Sequence, residues 1–317
     1  MRVNLDGRSM KPSTPHWSQT SSRLMNACPR AWAITYGTNT DGFTAPKRPS
    51  RRPPRTFDDV LIRSMRRTWL MRLSDQYQRK VWSSPYAKQT FDNTVDDTMD
   101  HLNISVPSLH LEMGKYRSIK QLRLLEQSQS LRPLFTGEPR RWAYFDRRRS
   151  ADLDGIEVYA APDVAVFHQH RWTLVRLQFR SSRRPLLGQQ LEHLLMVLWA
   201  RSQPGFPEDM DAYRVKVVRW QGQGWQEHSV VVSHELLDQA MALMNHDVQE
   251  MKWLKRWASA DPSFASLPLA AHHETCQSCL HRPNCPAKDG LVSAKRTQEK
   301  RLLSGAYKDA TKSAKTA

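Results

Sequence analysis

The sequence predicts an α/β protein with a helical N-terminal part. The hydrophobic period changes along the chain, from helical spacing at Leu61, Met65, Trp69 and Leu73 to strand-like runs between residues 141 and 179. After those runs, helix and strand patterns alternate. The four cysteines fall in two places, Cys28 near the start and a trio near residue 280.

The elements follow in order. Residues 1–16 are polar and read as a loose N-terminus. Trp17 to Gly37 reads as a helix with Ser and Thr at its start and Pro29 opening a second helix. Residues 45–56 hold four Pro and five basic residues with no acid, the composition of a linker or exposed loop. Helices are expected at Phe57 to Asp75 and at about Tyr116 to Glu126, completing a helical part over 17–140. Arg141 to Phe145, Gly155 to Phe167 and Trp172 to Phe179 read as strands, and Gln189 to Arg201 as an apolar-faced helix. Two further strands, Tyr213 to Trp220 and Trp225 to Ser233, flank a glycine-rich link, and Glu235 to Trp257 is a long amphipathic helix. These make a core over 141–260, followed by a cysteine-bearing segment at 261–285. The tail, 286–317, has eight basic residues against three acids and few large apolar ones.

Composition narrows the function. The 317 residues carry 48 Lys and Arg against 31 Asp and Glu, a net charge of +17. A surface this basic suits a polyanion, nucleic acid above all, whose phosphates it would neutralise; the plainer alternatives are a solvated basic surface or a ribosome-like passenger. The longest strongly apolar run, Leu194 to Ala200, is far short of a bilayer span, so no membrane partner is expected. With no secretory signal pattern and four cysteines, a reducing, cytoplasmic setting fits, in which clustered thiols point to metal or catalysis. No phosphate-binding glycine loop followed by Lys occurs, so the chain carries no helicase motor of its own.

Cys276, Cys279 and Cys285 stand as C-x2-C-x5-C. Two thiolates three residues apart face one metal from a single turn, and the longer gap brings round a third. The fourth ligand is open. Cys28 would complete an all-sulfur site and join the two ends of the core. His273 or His281 would complete a local zinc knuckle, and structural thiols without metal are the remaining reading.

The surroundings of Cys28 resemble a known family. Ser21 to Trp32, SSRLMNACPRAW, is similar to the opening of the RecB-like PD-(D/E)XK nucleases with an iron staple, which include AddB-type helicase-nuclease subunits and CRISPR-associated RecB-like exonucleases. Those proteins close with C-x2-C-x5-C after a long helix, as this chain does, and the likeness runs from about Trp17 to Cys285. It implies a restriction-endonuclease-like mixed sheet flanked by helices. It also implies a 4Fe–4S cluster on Cys28, Cys276, Cys279 and Cys285, stapling the N- and C-terminal parts. The partners it implies are DNA, single- or double-stranded, and a helicase or other DNA-processing protein, in DNA processing, repair or defence.

The family's hydrolytic centre sets an Asp on one strand beside an acid and a Lys two residues apart on the next, since the carboxylates hold Mg²⁺ or Mn²⁺ and the Lys serves the attacking water. Asp163 matches the first Asp. The next strand departs from the pattern: Gln178 and Arg180 take the places of acid and Lys in the preferred register, and Arg176 and Gln178 in the other. The helix that follows keeps Gln190, but Leu194 replaces a Tyr. A single carboxylate holds Mg²⁺ poorly, and Arg cannot take a proton from water. An Asp163 paired with Arg176 or Arg180 is therefore the expected arrangement, and catalysis is expected to be lost while DNA binding persists. Arg141, Arg148, Arg149, Arg183 and Arg184, together with Arg140 and Arg147, flank the centre and suit phosphates. Trp142, Trp172, Trp220 and Trp225 suit base stacking or, more simply, core packing. His168 and His170 mark an exposed hairpin. Two other readings are carried: an active metal-dependent DNA exonuclease or endonuclease using Asp163 with a carboxylate relocated to Asp152, Asp154 or Glu157, and a zinc-stapled scaffold for protein partners.

Overall fold

The computed structural model describes residues 15–37, 56–137, 141–180 and 187–261, with 264, 266–270, 272–277, 279, 281, 282 and 285. The chain is mixed α/β and divides into two compact units. The larger is His16–Gln19 with Pro54–His246; the smaller gathers Thr20–Pro53 and Asp247–Ala317, with residues 1–15. Most of the linker at 45–56 and all of the tail at 286–317 lie outside the described residues.

In the larger unit, α3 (Phe57–Tyr77), α4 (Ser84–Leu102), α5 (Ser108–Glu126) and the short α6 (Arg132–Thr136) precede the sheets; β1 (Trp17–Ser18), α1 (Gln19–Ala27) and α2 (Pro29–Trp32) come before them in the chain. Thr56 starts α3 with a reciprocal capping box: its hydroxyl accepts from the Asp59 N–H and the Asp59 carboxylate accepts from the Thr56 N–H. The expected helix at Tyr116 begins earlier, at Ser108, and α4 was not expected. Its buried face is Thr90, Phe91, Thr94 and Val95. The Thr94 hydroxyl there is satisfied by the Thr90 carbonyl one turn back, so polar residues sit in a core position without cost in lost hydrogen bonds.

The strands are β2 (Arg141–Tyr144), β3 (Ala151–Leu153), β4 (Ile156–Tyr159), β5 (Val164–His168), β6 (Arg171–Gln178), β7 (Tyr213–Trp220) and β8 (Trp225–Val230). Five of them form a mixed sheet in the order β2-β5-β6-β7-β8, parallel only between β6 and β7. That parallel step is bridged by α7 (Leu187–Arg201), as a parallel crossover requires. A second sheet has the order β1-β4-β3. The single strand expected over Gly155 to Phe167 is thus corrected to two strands in two sheets. Pro162, which has no N–H to give a ladder, lies in the break. Gln169 and His170 turn the β5–β6 hairpin with φ of 50° and 60°, and His168 and His170 are exposed there.

The main core lies between the sheet and the helices. Val164, Val166, Val175, Leu177, Phe179 and Val218 pack against Val60, Met65, Trp69, Leu73 and Phe91, among others. Alternation along β6 therefore sends Val175 and Leu177 to the helices and Arg176 and Gln178 to the opposite face.

The smaller unit holds α2, the last part of α8 (His234–Ala260) and α9 (His273–Gln277). Its core is Met25, Trp32, Met251, Leu254, Ala258, Phe264 and Leu267. The Trp32 indole N–H donates to the Ser21 hydroxyl at 2.8 Å, and the Ser22 hydroxyl donates to Asp247 at 2.6 Å. No helix among the described residues is long and apolar enough to cross a membrane.

Candidate functional site

Asp163 stands just before β5 in the larger unit. Its backbone is held by the neighbouring chain: its N–H donates to the Val175 carbonyl at 2.9 Å. Its carboxylate is gripped on every side. Arg147 donates Nε to Oδ1 at 2.7 Å and Nη2 to Oδ2 at 2.8 Å. The Leu177 N–H donates to Oδ2 at 2.7 Å, and Arg176 Nη1 lies 3.6 Å from the same oxygen. Arg147 also donates to the Leu177 carbonyl, and Arg176 reaches Glu192 of α7 at 3.1 Å. Burial alone would raise the Asp163 carboxyl, but Arg147, Arg176 and the Leu177 N–H outweigh it and hold the group below the usual carboxylate range.

The other motif positions are engaged elsewhere. The Gln178 side-chain carbonyl accepts from Arg219 Nε at 2.8 Å. Arg180 pairs with Asp59 at 2.6 Å, and Gln190 is exposed on α7. Asp163 therefore meets Arg176 and Arg147, with Gln178 and Arg180 each tied to another partner. The carboxylates considered as relocated ligands belong to the β3–β4 hairpin of the other sheet. Asp152 accepts from the Gly155 N–H at 2.8 Å and Glu157 from the Tyr159 hydroxyl at 2.8 Å.

Two residues of α7 that the sequence reading passed over complete this centre: Glu192, paired with Arg176, and His193, which is buried. Burial, then the nearby Arg176, Arg219 and Arg147, push His193 down to about 3, so it is neutral. The only signal for them was an acid and a His set into an otherwise apolar helix face. Arg66 of α3 has its guanidinium 5.9 Å above the Phe179 ring. Burial against that ring, with Arg147, Arg176 and Arg180 nearby, lowers it to about 10 despite the pull of Asp163. Around the centre, Arg66, Arg147, Arg176, Arg180 and Arg219 stand against Asp59, Asp163 and Glu192, an excess of positive charge.

Of the arginines expected to face DNA, Arg141 is exposed at the start of the edge strand β2. Arg148 is exposed and pairs with Asp146 at 2.7 Å. Arg149 lies over the rings of Phe145 and Trp199. Arg140, Arg183 and Arg184 lie outside the described residues. Trp225 donates to the Gln121 carbonyl at 2.8 Å and Trp172 is buried, so both serve packing.

In the smaller unit, Cys28, Cys276, Cys279 and Cys285 all line one small cavity, with Arg30, His281 and Arg282. Cys28 is the N-cap of α2: its sulfur accepts the Ala31 N–H at 3.4 Å, and Pro29 follows at the first helical position. Arg30 is 4% exposed and donates Nη2 to the Leu267 carbonyl at 2.8 Å. Its Nη1 reaches the Cys285 sulfur at 3.8 Å. Thus the opening segment and the cysteine trio meet in one unit. Burial raises the Cys28 thiol, opposed by the Ala31 N–H and reinforced by Cys279 and Cys285. Burial also raises Cys276, with Cys28, Cys279 and Cys285 adding to it. His281 Nε2 lies 3.0 Å from the Thr35 hydroxyl, and nothing is described of the His273 side chain. Among the described residues no three His, Cys, Asp or Glu side chains are gathered as ligands of a single metal ion. The donor set nonetheless suits a soft metal centre: four sulfurs on one cavity, an amide N–H on one of them, and two arginines to balance thiolate charge.

No protein-family model and no curated protein matches the chain. Among solved structures, one described as "Crystal structure of SSO0001" is similar at 10% identity and a TM-score of 0.31, over 73% of this chain and 96% of that one.

Proposed function

We propose that this chain is a DNA-binding protein of the RecB-like PD-(D/E)XK nuclease type, with a restriction-endonuclease-like core whose hydrolytic centre is degenerate. The observation that carries this reading is the occupation of Asp163: both carboxylate oxygens already accept from Arg147, and one also accepts from Leu177. A divalent cation would have to displace a bidentate guanidinium and sit beside Arg176. Mg²⁺ takes such a site poorly, because it demands several oxygen ligands and gives up its waters reluctantly. No group at the Lys position is placed to relay a proton, since Arg180 stands there and its guanidinium is bound to Asp59. What persists is cationic surface, with Arg141, Arg148, Arg149 and Arg180 exposed on the larger unit. Guanidinium groups of this kind hold phosphates.

The four-cysteine cavity is the site of a 4Fe–4S cluster in this reading, held by Cys28, Cys276, Cys279 and Cys285. When bound, the cluster supplies four metal–thiolate bonds that cross-link the first and last segments of the smaller unit. His281 on the cavity wall favours one rival, a zinc site of three Cys and one His. The function proposed is to hold DNA in a reducing compartment for a helicase or other processing partner, in repair or defence.

The test is cleavage of labelled single- and double-stranded DNA by anaerobically purified protein with Mg²⁺ or Mn²⁺, beside a binding curve in the same buffer. The expected result is salt-sensitive binding of intact DNA. Cleavage that vanishes in Asp163→Ala overturns the degenerate centre, and absence of binding at low salt overturns DNA as the ligand. Iron, sulfide and zinc analysis of the same sample decides between cluster and zinc.

A further inference from the structure

We propose that a groove beside β2, distinct from the Asp163 centre, binds the bases of single-stranded DNA by stacking; the proposal rests on the DNA-binding reading above and assigns it a strand type and a place. The groove has a volume of about 950 Å³, and its walls include Tyr77, Arg79, Arg141, Trp142 and Trp172. Tyr77 ends α3 and is 62% exposed. Its ring stands edge-on to Trp142, with centroids 5.4 Å apart at 77°, and edge-on to Tyr144 at 6.3 Å and 67°. With 62% of its surface exposed, Tyr77 keeps ring surface open to a stacking base. Trp172 is the fixed floor, 8% exposed and packed on Phe206 at 4.5 Å.

The cations complete the recognition chemistry. Arg79 follows α3 with a φ of 60°, and Arg141 opens the edge strand. Both are exposed, and among the described residues neither makes an ion pair and no acidic side chain lines the groove. Aromatic rings beside two exposed guanidinium groups match a strand whose bases are unstacked and whose phosphates run alongside. A duplex keeps its bases stacked on one another and offers this groove phosphates alone. An acidic peptide would satisfy the arginines but leave the ring faces unused.

The experiment measures anisotropy of fluorescent oligothymidylate and of a labelled duplex with the intact, anaerobically purified protein. Tyr77→Ala is expected to weaken oligothymidylate binding roughly 5- to 150-fold, the range that loss of one base stack gives, and to leave duplex binding within about twofold. Tyr77→Phe keeps the ring face and the affinity. The double variant Arg79→Ala/Arg141→Ala is expected to lower the slope of log K against log salt by about 1.4, two phosphates on a single strand. If the wild type binds neither DNA, the DNA-binding reading itself fails. If it binds oligothymidylate and all three variants bind equally well, the reading survives and this groove is overturned. An equal loss of single-strand and duplex binding in Tyr77→Ala also overturns it.

Discussion

The carboxylate centre of the larger unit and the thiol cavity of the smaller one both collect reactive side chains, but they leave them in different states. At Asp163 every strong acceptor already has a donor: Arg147 twice, Leu177 once, with Arg176 beside them. In the cavity, four cysteines share one lining, and the described contacts reaching them include the Ala31 and Arg30 N–H groups on Cys28 and the Arg30 guanidinium on Cys285. A set of groups that satisfies itself is structure. Donors that converge without satisfying one another have capacity left for a ligand. The residue types that name a function in a sequence are therefore only half of the case, and the partners those residues find decide the other half.

The comparison is broken most forcefully at Cys28. Cys28→Ser is expected to abolish iron binding and to destabilise the smaller unit by several kcal/mol or more, since metal binding and folding are coupled in such sites. Iron content and a thermal melt check it; full iron content in the variant would detach Cys28 from the site. Next in size is Asp163→Asn, which leaves Arg147 without its carboxylate and Arg176 with Glu192 alone. Breaking a buried pair from one side costs about 3–5 kcal/mol, toward the lower end here because Arg147 is partly open to water. Urea unfolding measures it. In the same experiment Mg²⁺ should leave the wild-type midpoint unmoved, and a rise that Asp163→Asn removes would mean the carboxylate still takes a cation.

A third effect depends on pH. His193 stays neutral in the folded chain down to about 3, whereas in the unfolded chain it takes a proton below about 6.5. The unfolded state then binds more protons, so stability falls by about 1.4 kcal/mol for each unit of acidification within that window. His193→Gln should flatten the slope between about pH 7 and pH 5, and an unchanged slope would place the titration elsewhere. The smallest effect expected is at Arg30. Arg30→Lys can keep the bond to the Leu267 carbonyl but cannot fork to Cys285 as well. A loss of about 1 kcal/mol is expected, with a shifted reduction potential if the cavity holds a cluster.

Much of this was legible in the residues. Strand β6 was readable from its apolar run, whereas β5 was expected as part of one longer strand containing Asp163, and Asp163 itself was picked out by the family resemblance. The cysteine spacing left the fourth ligand of the trio open, and it was the family resemblance that implied Cys28, which lies in the same unit. The misses have physical reasons. Asp163 was expected to pair with Arg176 or Arg180, and Arg147 was assigned to DNA. Nothing in spacing says that a turn after β2 will bring Arg147 to a carboxylate sixteen residues on. Helix α4 hid because threonines fill half of its buried face. Tyr77 attracted no notice, because an aromatic at the end of an amphipathic helix looks like core until its exposure is known.

The smaller unit draws its residues from both sides of the larger one, Thr20–Pro53 before it and Asp247 onward after it. During synthesis the first of these segments leaves the ribosome long before the second. At about 5–20 residues per second, the stretch between residues 53 and 247 takes roughly 10–40 s to make. Trp32 and Cys28, buried in the finished protein, spend that interval without the later segments they pack with, Met251 and Leu254 for Trp32 and Ala270, Cys276 and Cys279 for Cys28. The larger unit has time to fold first, while a nascent thiol and indole wait in the open.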